Sequence, residues 1–355
     1  MKNKFSKILG VALSSLIVPF CASCNTNNSG DKMSIVTTIF PEYDWVMNVL
    51  GEKKDNADVT LLLDNGIDLH SYQPTPKDIV TISKCDLFIY VGGESDEWVD
   101  DALKQAINKD MKVINLMETL GDAIKEEEVI EGMEGHDHDH DHEDGEDHDH
   151  EEDHDHEEDH DHEEGEDHDH DHEEGEVEYD EHVWLSLKNA EVIVKEIGKS
   201  LSVIDKENAD YYNGNVTSYV NKLKDLDSRY DAAVKAGTKD TLLFADRFPF
   251  RYLVDDYNLK YYAAFVGCSA ETEASFETIK FLANKVDELG LNVILKIESS
   301  DGGIANTVKE ATKNKNQTIM TMDSLQSAST KEYKAGRNYL SVMEQNLTVL
   351  KDAVK

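Results

Sequence analysis

Short apolar and β-branched runs alternate with longer amphipathic stretches along this chain, which predicts strands that alternate with helices. The predicted strands fall in two sets of four, at residues 34–38, 59–63, 87–91 and 113–116, and at 241–244, 261–265, 293–297 and 318–321. Alternation of this kind is typical of βαβ units that build a mostly parallel sheet. The pattern therefore predicts an α/β protein with two parallel sheets.

One long helix is predicted between the two sets of strands. Apolar residues between 208 and 236 fall largely at three-, four- and seven-residue spacings, and Gly237 follows as a stop signal. A helix of about 29 residues is about 43 Å long at 1.5 Å per residue, so it would join two lobes as a stiff backbone. We expect an N-terminal lobe at 33–207, a linking helix at 208–236 and a C-terminal lobe at 237–355.

The first residues have the features of an export signal. Three lysines precede the apolar run 8–20, which is too short to span a bilayer stably. Small residues then lead to Cys24, and a polar tether follows at 25–32. This arrangement resembles a bacterial lipoprotein signal, with 1–24 as the signal peptide and Cys24 as the lipidated residue. We therefore expect a lipid-anchored protein on the extracytoplasmic face of the cell membrane, an ordinary signal peptide without lipid being the alternative.

The charge of the chain is large, negative and uneven. Among 355 residues, 75 acids against 35 Lys plus Arg give a formal net charge of -40, which disfavours nucleic acid as a partner. Residues 136–176 hold 25 acids, 13 His and 3 Gly, with no Lys or Arg. This His/Asp-rich insert has no apolar face, so we predict that it is disordered without a ligand.

Alternating His and Asp residues in the insert offer many overlapping metal donors. Imidazole binds zinc, nickel and copper, and the carboxylates concentrate cations nearby. We interpret the insert as an auxiliary low-affinity metal site, the alternative being a solvated acidic segment without a metal role. Its histidines are His136, His138, His140, His142, His148, His150, His154, His156, His160, His162, His168, His170 and His172.

Outside the insert the chain has two histidines, His70 and His182. His70 lies just past a predicted strand, at the edge where open α/β sheets collect ligands. Three oxygen donors follow predicted strands of the second set, namely Asp246, Glu298 and Asp323. If both sheets point this edge into one cleft, imidazoles and carboxylates can meet around one divalent cation such as zinc or manganese.

Four segments, at 35–44, 68–78, 98–99 and 181–186, resemble the zinc and manganese solute-binding lipoproteins of ABC importers, the cluster A-I or zinc-uptake family. The second and the fourth of them contain His70 and His182. The resemblance covers essentially the whole mature chain. It implies two Rossmann-like lobes joined by one long backbone helix, with the metal in the interlobe cleft. It also implies that His70, His182 and Asp323 are ligands.

The third ligand position departs from the family pattern, which has His or Glu there. Alignment on Phe250 and Tyr252 places Arg247 at this position, and a guanidinium has no lone pair to offer. We expect Asp246 to take its place, with water, Glu298 or an insert histidine as the alternatives. The thiols of Cys85 and Cys268 are expected to pack as small apolar side chains.

The resulting expectation is a monomeric protein that captures Zn²⁺ with high affinity and delivers it to an ABC permease and its ATPase. Mn²⁺ as the cargo is one alternative, and a surface metal-buffering or adhesin lipoprotein is another. An enzyme is not expected, because outside the insert the chain has no His-Glu-x-x-His motif to place a metal beside a general base.

Overall fold

Two four-stranded parallel sheets form the frame of the protein in a computed structural model that describes residues 32–64, 66–134, 178–269 and 273–355. The first sheet has the order β2-β1-β3-β4 and the second β6-β5-β7-β8. The strands are β1 Met33–Thr37, β2 Ala57–Leu61, β3 Leu87–Tyr90, β4 Lys112–Asn115, β5 Thr241–Phe248, β6 Lys260–Val266, β7 Val293–Lys296 and β8 Thr318–Thr321. All eight predicted strands are confirmed, and only β5 extends well beyond its predicted end.

Helices connect the strands and cover the sheets. They are α1 Phe40–Leu50, α2 Pro76–Lys84, α3 Trp98–Lys104, α4 Leu116–Leu120, α5 Leu187–Ile204, α6 Ala209–Ala236, α7 Arg251–Asp256, α8 Phe276–Leu289, α9 Gly303–Ala311, α10 Thr330–Lys334 and α11 Tyr339–Ala353. Helix α6 has 28 residues and is the predicted long helix between the sheets. Within the part of the chain that the structure describes, no helix is both long and apolar enough to cross a membrane.

The two lobes share one continuous apolar core in addition to the long helix. The last helix, α11, returns to the first lobe, where the ring of Tyr339 packs edge-on against Trp45 at 5.1 Å between centroids. Between the lobes, the indole Nε1 of Trp184 donates a hydrogen bond of 2.8 Å to the backbone carbonyl of Ser324. These contacts favour a fixed arrangement of the lobes around the cleft.

The segment that leads into the insert leaves the first lobe. The backbone N–H of Glu134 donates to the carbonyl of Ala264, 2.9 Å away on the edge strand β6 of the second sheet. The segments on either side of the insert are also paired, because the N–H of Glu127 donates to the carbonyl of Glu178 at 2.9 Å. The predicted N-terminal lobe, 33–207, therefore contacts the C-terminal lobe through this segment.

Candidate metal centre

Both predicted histidines lie at the carboxyl ends of the strands, where the two lobes face each other. His70 lies in the helical turn Leu69–Ser71 after β2, and His182 directly precedes the turn Val183–Leu185. Their Nε2 atoms are 3.2 Å apart. Two nitrogens that bind the same tetrahedral zinc ion at 2.0–2.1 Å lie about 3.4 Å apart. The distance between the two Nε2 atoms is therefore suited to binding one ion between them.

Carboxylates orient both rings from behind. The Nδ1 of His182 lies 3.0 Å from Oδ1 of Asp180, and the Nδ1 of His70 lies 3.3 Å from Oε2 of Glu181. Ser95 Oγ is a further partner of His70 Nδ1, at 2.8 Å. A carboxylate at Nδ1 favours the tautomer with the proton on Nδ1, which leaves the Nε2 lone pair free for a metal.

Two of the nearby carboxyl groups are held in their charged form. Burial raises the pKa of Glu181, but hydrogen bonds from His70 and Ser95 outweigh it and leave this pKa below its usual value. The pKa of Asp68 is likewise lowered, because His70 and Arg247 outweigh the effect of burial. Glu181 therefore contributes negative charge beside the imidazoles, which favours a cation, whereas the charge of Asp68 is offset by Arg247.

The second lobe brings Cys268 and Gln326 to the histidines. The donor atoms of His70, His182 and Cys268 all lie within 4.8 Å of one another, which no other set of three or more His, Cys, Asp and Glu side chains achieves among the described residues. Burial, helped by nearby carboxylates, raises the pKa of the Cys268 thiol well above its ordinary value. The amide Nε2 of Gln326 lies 2.8 Å from His182 Nε2 and 3.4 Å from His70 Nε2.

Asp246 is not joined to the histidines, and the expectation that it replaces the third ligand is not met by this geometry. Its Oδ1 accepts the N–H of Arg247 at 2.9 Å, and its Oδ2 accepts the N–H of Ile297 at 3.2 Å. Oδ2 therefore ties the end of β5 to the end of β7, whereas Oδ1 bonds within β5. Arg247 itself turns to the first lobe and donates to Oδ2 of Asp68 at 2.8 Å.

Asp323, also expected to be a ligand, is likewise not in the group of donor atoms around the histidines. Both of its oxygens accept hydrogen bonds from Nη2 of Arg337, at 3.0 and 2.8 Å. Burial, with the nearby Glu298, raises the pKa of Asp323 to about 6. Glu298, the other alternative ligand, accepts from the backbone N–H and the hydroxyl of Ser324 at 2.7 and 2.8 Å, so it holds the loop after β8.

A cavity of about 960 Å³ lies in the cleft beside the histidines and is lined from both lobes. Asp68 and Ser71, which flank His70 in the sequence, line it from the first lobe. Asp246, Arg247 and Asp301 are among the residues that line it from the second lobe. Since 12% of the His70 side chain is exposed and that of His182 is fully buried, His70 is the more accessible of the two imidazoles.

A comparison with models of known protein families identifies the family of this chain. The model of the family described as "ZnuA: Zinc-uptake complex component A periplasmic" matches residues 35–353. The chain belongs to this ZnuA family.

Individual proteins of similar sequence also match nearly the whole chain. The high-affinity zinc uptake system protein ZnuA of Bacillus subtilis (strain 168) is 30% identical over 358 residues, which is 100% of this chain and 99% of that protein. The zinc-binding lipoprotein AdcA of Streptococcus pneumoniae R6 is 30% identical over 97% of this chain, and the chain spans 60% of the length of AdcA.

Solved structures of similar proteins have the same fold. The metal-dependent lipoprotein YcdH of Bacillus subtilis has a TM-score of 0.67 at 26% identity, with 91% of this chain and 99% of that chain covered. The Zn(II)-bound ZnuA-like domain of Streptococcus pneumoniae AdcA has a TM-score of 0.64 at 27% identity, with the same coverage. The predicted fold class, two α/β lobes with parallel sheets, is thereby confirmed.

Some predicted site residues lie outside the described ranges, namely the 13 histidines of the insert and Cys24. Their metal and lipid roles remain predictions. Conversely, sequence reasoning missed Cys268 and Gln326, although both follow strands of the second set in the same way as Asp246 and Asp323 do. It also missed the orienting carboxylates, although Asp180 and Glu181 directly precede His182.

Proposed function

We propose that this ZnuA-family protein captures Zn²⁺ outside the cytoplasmic membrane and delivers it to an ABC importer. The observation that carries the proposal is the pair of Nε2 atoms 3.2 Å apart, with carboxylates at both Nδ1 atoms. Relatives named for zinc uptake and zinc binding, ZnuA of Bacillus subtilis and AdcA of Streptococcus pneumoniae, support zinc as the cargo. No catalytic step belongs to this function, since capture and release change only the coordination of the ion.

The membrane attachment and the partners are part of the same proposal. Lipid on Cys24 anchors the protein to the outer face of the cell membrane, and the tether 25–32 gives the lobes reach above it. The partner is a permease in that membrane, driven by an ATPase on its other side. The protein works as a monomer, because a single interlobe cleft contains both imidazoles.

A zinc titration against a competing chelator tests the function. The full chain should bind one Zn²⁺ far more tightly than the rest, and His70→Ala or His182→Ala should abolish this tight binding. His148→Ala is the matched control, since it removes one imidazole from the insert and should leave the tight site unchanged. Tight zinc binding that survives in both the His70→Ala and the His182→Ala variant would refute the proposal. An equal affinity of the full chain for Mn²⁺ would favour manganese as the cargo. Weak zinc sites without a tight one would favour metal buffering.

A further inference from the structure

The two imidazoles do not by themselves complete a tight transition-metal site. Tetrahedral zinc sites in proteins use at least three protein ligands. In this chain the second-lobe carboxylates are already engaged, Asp246 by backbone N–H groups and Asp323 by Arg337. Arg247, at the position where the family pattern has a ligand, pairs with Asp68. The second lobe therefore has to supply a donor of another kind.

Cys268 is placed at the imidazoles by the residue before it. A Cβ at Gly267 would lie 2.9 Å from Cε1 of His182 and 3.0 Å from the carbonyl oxygen of Phe248. Only glycine therefore lets the chain after β6 lie directly against the His182 ring. This close approach brings the thiol of the next residue within 4.8 Å of both histidine donor atoms.

On the basis of the zinc-capture function proposed above, we propose that Cys268 is the second-lobe ligand, so that two imidazoles and one thiolate hold the zinc. With Zn–S of about 2.3 Å and Zn–N of about 2.0 Å, a sulfur lies about 3.6 Å from each nitrogen in a tetrahedral site, so a small inward movement completes the geometry. The thiol proton leaves to solvent as the sulfur lone pair forms the Zn–S bond. The fourth position is left to water or to the side chain of Gln326, whose amide lies 2.8 Å from His182 Nε2, and either is a weak ligand that allows release.

A thiolate in this position also determines which metal is preferred. Thiolate is a soft ligand that favours zinc, whereas manganese prefers carboxylate, carbonyl and water oxygens. Cys268 thus gives the cleft a preference for zinc that two imidazoles with a carboxylate would not give to the same degree. Replacing the sulfur by an oxygen donor should weaken that preference.

Zinc K-edge X-ray absorption on the full chain tests the ligand directly. Cys21→Ser and Cys24→Ser form the background for every sample, so that Cys85 and Cys268 are the remaining thiols. With one equivalent of zinc we expect one sulfur at about 2.3 Å beside nitrogen or oxygen neighbours at about 2.0–2.1 Å. Cys268→Ser should lose the sulfur shell and weaken zinc binding by about 100-fold or more, because even second-shell changes cost 10–100-fold.

Cys85→Ser is the matched control, since Cys85 is buried beside Met111 and should keep the sulfur shell and the affinity. Tight zinc without a sulfur shell in the background protein, or unchanged affinity in Cys268→Ser, would overturn the ligand assignment while leaving zinc capture intact. A background protein without any tight zinc site would instead refute the function. The absorption spectrum of the background protein decides the ligand even if a variant fails to fold.

Cys268→Asp tests the metal preference with a carboxylate of similar size. We expect the ratio of Zn²⁺ to Mn²⁺ affinity to fall by about tenfold or more relative to the background protein, because a soft donor is replaced by a hard one. An unchanged ratio would contradict the role of Cys268 in selectivity.

Discussion

At the scale of single residues, the site depends on carboxylates that do not touch the ion. Asp180 Oδ1 accepts both the backbone N–H of His182, at 2.8 Å, and its Nδ1, at 3.0 Å. One carboxylate therefore fixes the position of the residue, the orientation of its ring and its tautomer. Outer partners of this kind contribute to metal affinity almost as strongly as some ligands do.

We predict that Asp180→Asn weakens tight zinc binding by about 10–100-fold. The amide can present an N–H to Nδ1, which favours the tautomer with its proton on Nε2 and removes the metal-binding lone pair. Chelator competition measures the effect. Asp205→Asn is the control, because Asp205 accepts from Tyr212 at the start of the long helix and should not alter zinc binding. Equal affinities for the two variants would show that Asp180 does not orient His182.

The sequence predicted the first-lobe half of the site better than the second-lobe half. His70 and His182 stood out because few histidines occur outside the insert, and the structure brings them together. The position of Asp323 after a predicted strand indicated the edge of the second sheet that faces the cleft. It could not show that Asp323 forms an ion pair with Arg337. Cys268 was missed because local spacing was the criterion, whereas its histidine neighbours are distant in sequence and close only after folding.

At the scale of secondary-structure elements, the helices α5 and α6 pack closely at a glycine. A Cβ at Gly198 on α5 would overlap the side chain of Val216 on α6, whereas a Cβ at Gly214 on α6 would meet nothing within 4 Å. The same substitution at the two glycines therefore has opposite physical consequences.

We predict that Gly198→Ala lowers the free energy of unfolding by about 1–3 kcal/mol, because the added methyl group overpacks the helix interface. Gly214→Ala should raise it by about 0.5–1 kcal/mol, because alanine has the higher helix propensity. Urea unfolding of both variants measures the two changes. Changes of the same sign would contradict the close approach of α5 and α6.

The buried carboxyl of Asp44 joins three helices. Its Oδ2 accepts from the hydroxyl of Tyr219 on α6 and from the backbone N–H of Tyr339 on α11, each at 3.2 Å. Burial raises the pKa of Asp44 from 3.8 to about 7, even though these hydrogen bonds favour the charged form. The folded protein therefore holds a proton here that the unfolded chain releases near pH 4.

For an acid with a raised pKa, the stabilisation is complete below the unfolded value and is lost as pH rises through the folded value. We predict that Asp44 lowers the free energy of unfolding by on the order of 3–4 kcal/mol between pH 4 and pH 7. Asp44→Asn should flatten this dependence in chelator-treated protein unfolded by urea at several pH values. The exposed substitution Asp110→Asn serves as the control, and a wild-type slope in Asp44→Asn would contradict the assignment.

The sequence predicted most elements because the apolar period is strong in each of them. β5 was predicted to end at 244 but continues to Phe248 through a shift in pairing between Phe244 and Arg247, which no periodic pattern reveals. The contact of the segment before the insert with the second sheet was not predicted, because the segment is polar and the contact is a backbone hydrogen bond to Ala264. Backbone pairing of this kind leaves no trace in side-chain type.

At the scale of the whole molecule, charge is concentrated in the insert. Its 25 acids account for most of the formal net charge of -40, so deletion of 136–176 leaves -40 + 25 = -15. A strong negative field near a cation site raises the rate of association at low ionic strength, and salt screens it.

We predict that deletion of 136–176 slows zinc association with the cleft by about tenfold at low salt, with the difference lost near 1 M salt. The deletion should leave the one tight site and remove the weak ones. Stopped-flow fluorescence of Trp184, whose ring centroid lies 5.2 Å from that of His182, reports arrival in the cleft. A variant with Asn and Gln in place of the acids of the insert keeps every imidazole, and its rate of zinc association should be as slow as that of the deletion. A wild-type rate in this variant would assign the effect to the histidines.

The backbone pairing of Glu127 with Glu178 makes the length of the insert nearly independent of the fold around the cleft. This pairing fixes both segments that flank the insert. Each doubling of the length of the chain between them adds only about 0.6 kcal/mol to the entropic cost of closing the loop. Repeats of His and Asp can therefore be gained or lost with little thermodynamic penalty. A change in the number of repeats would leave His70 and His182 where they are.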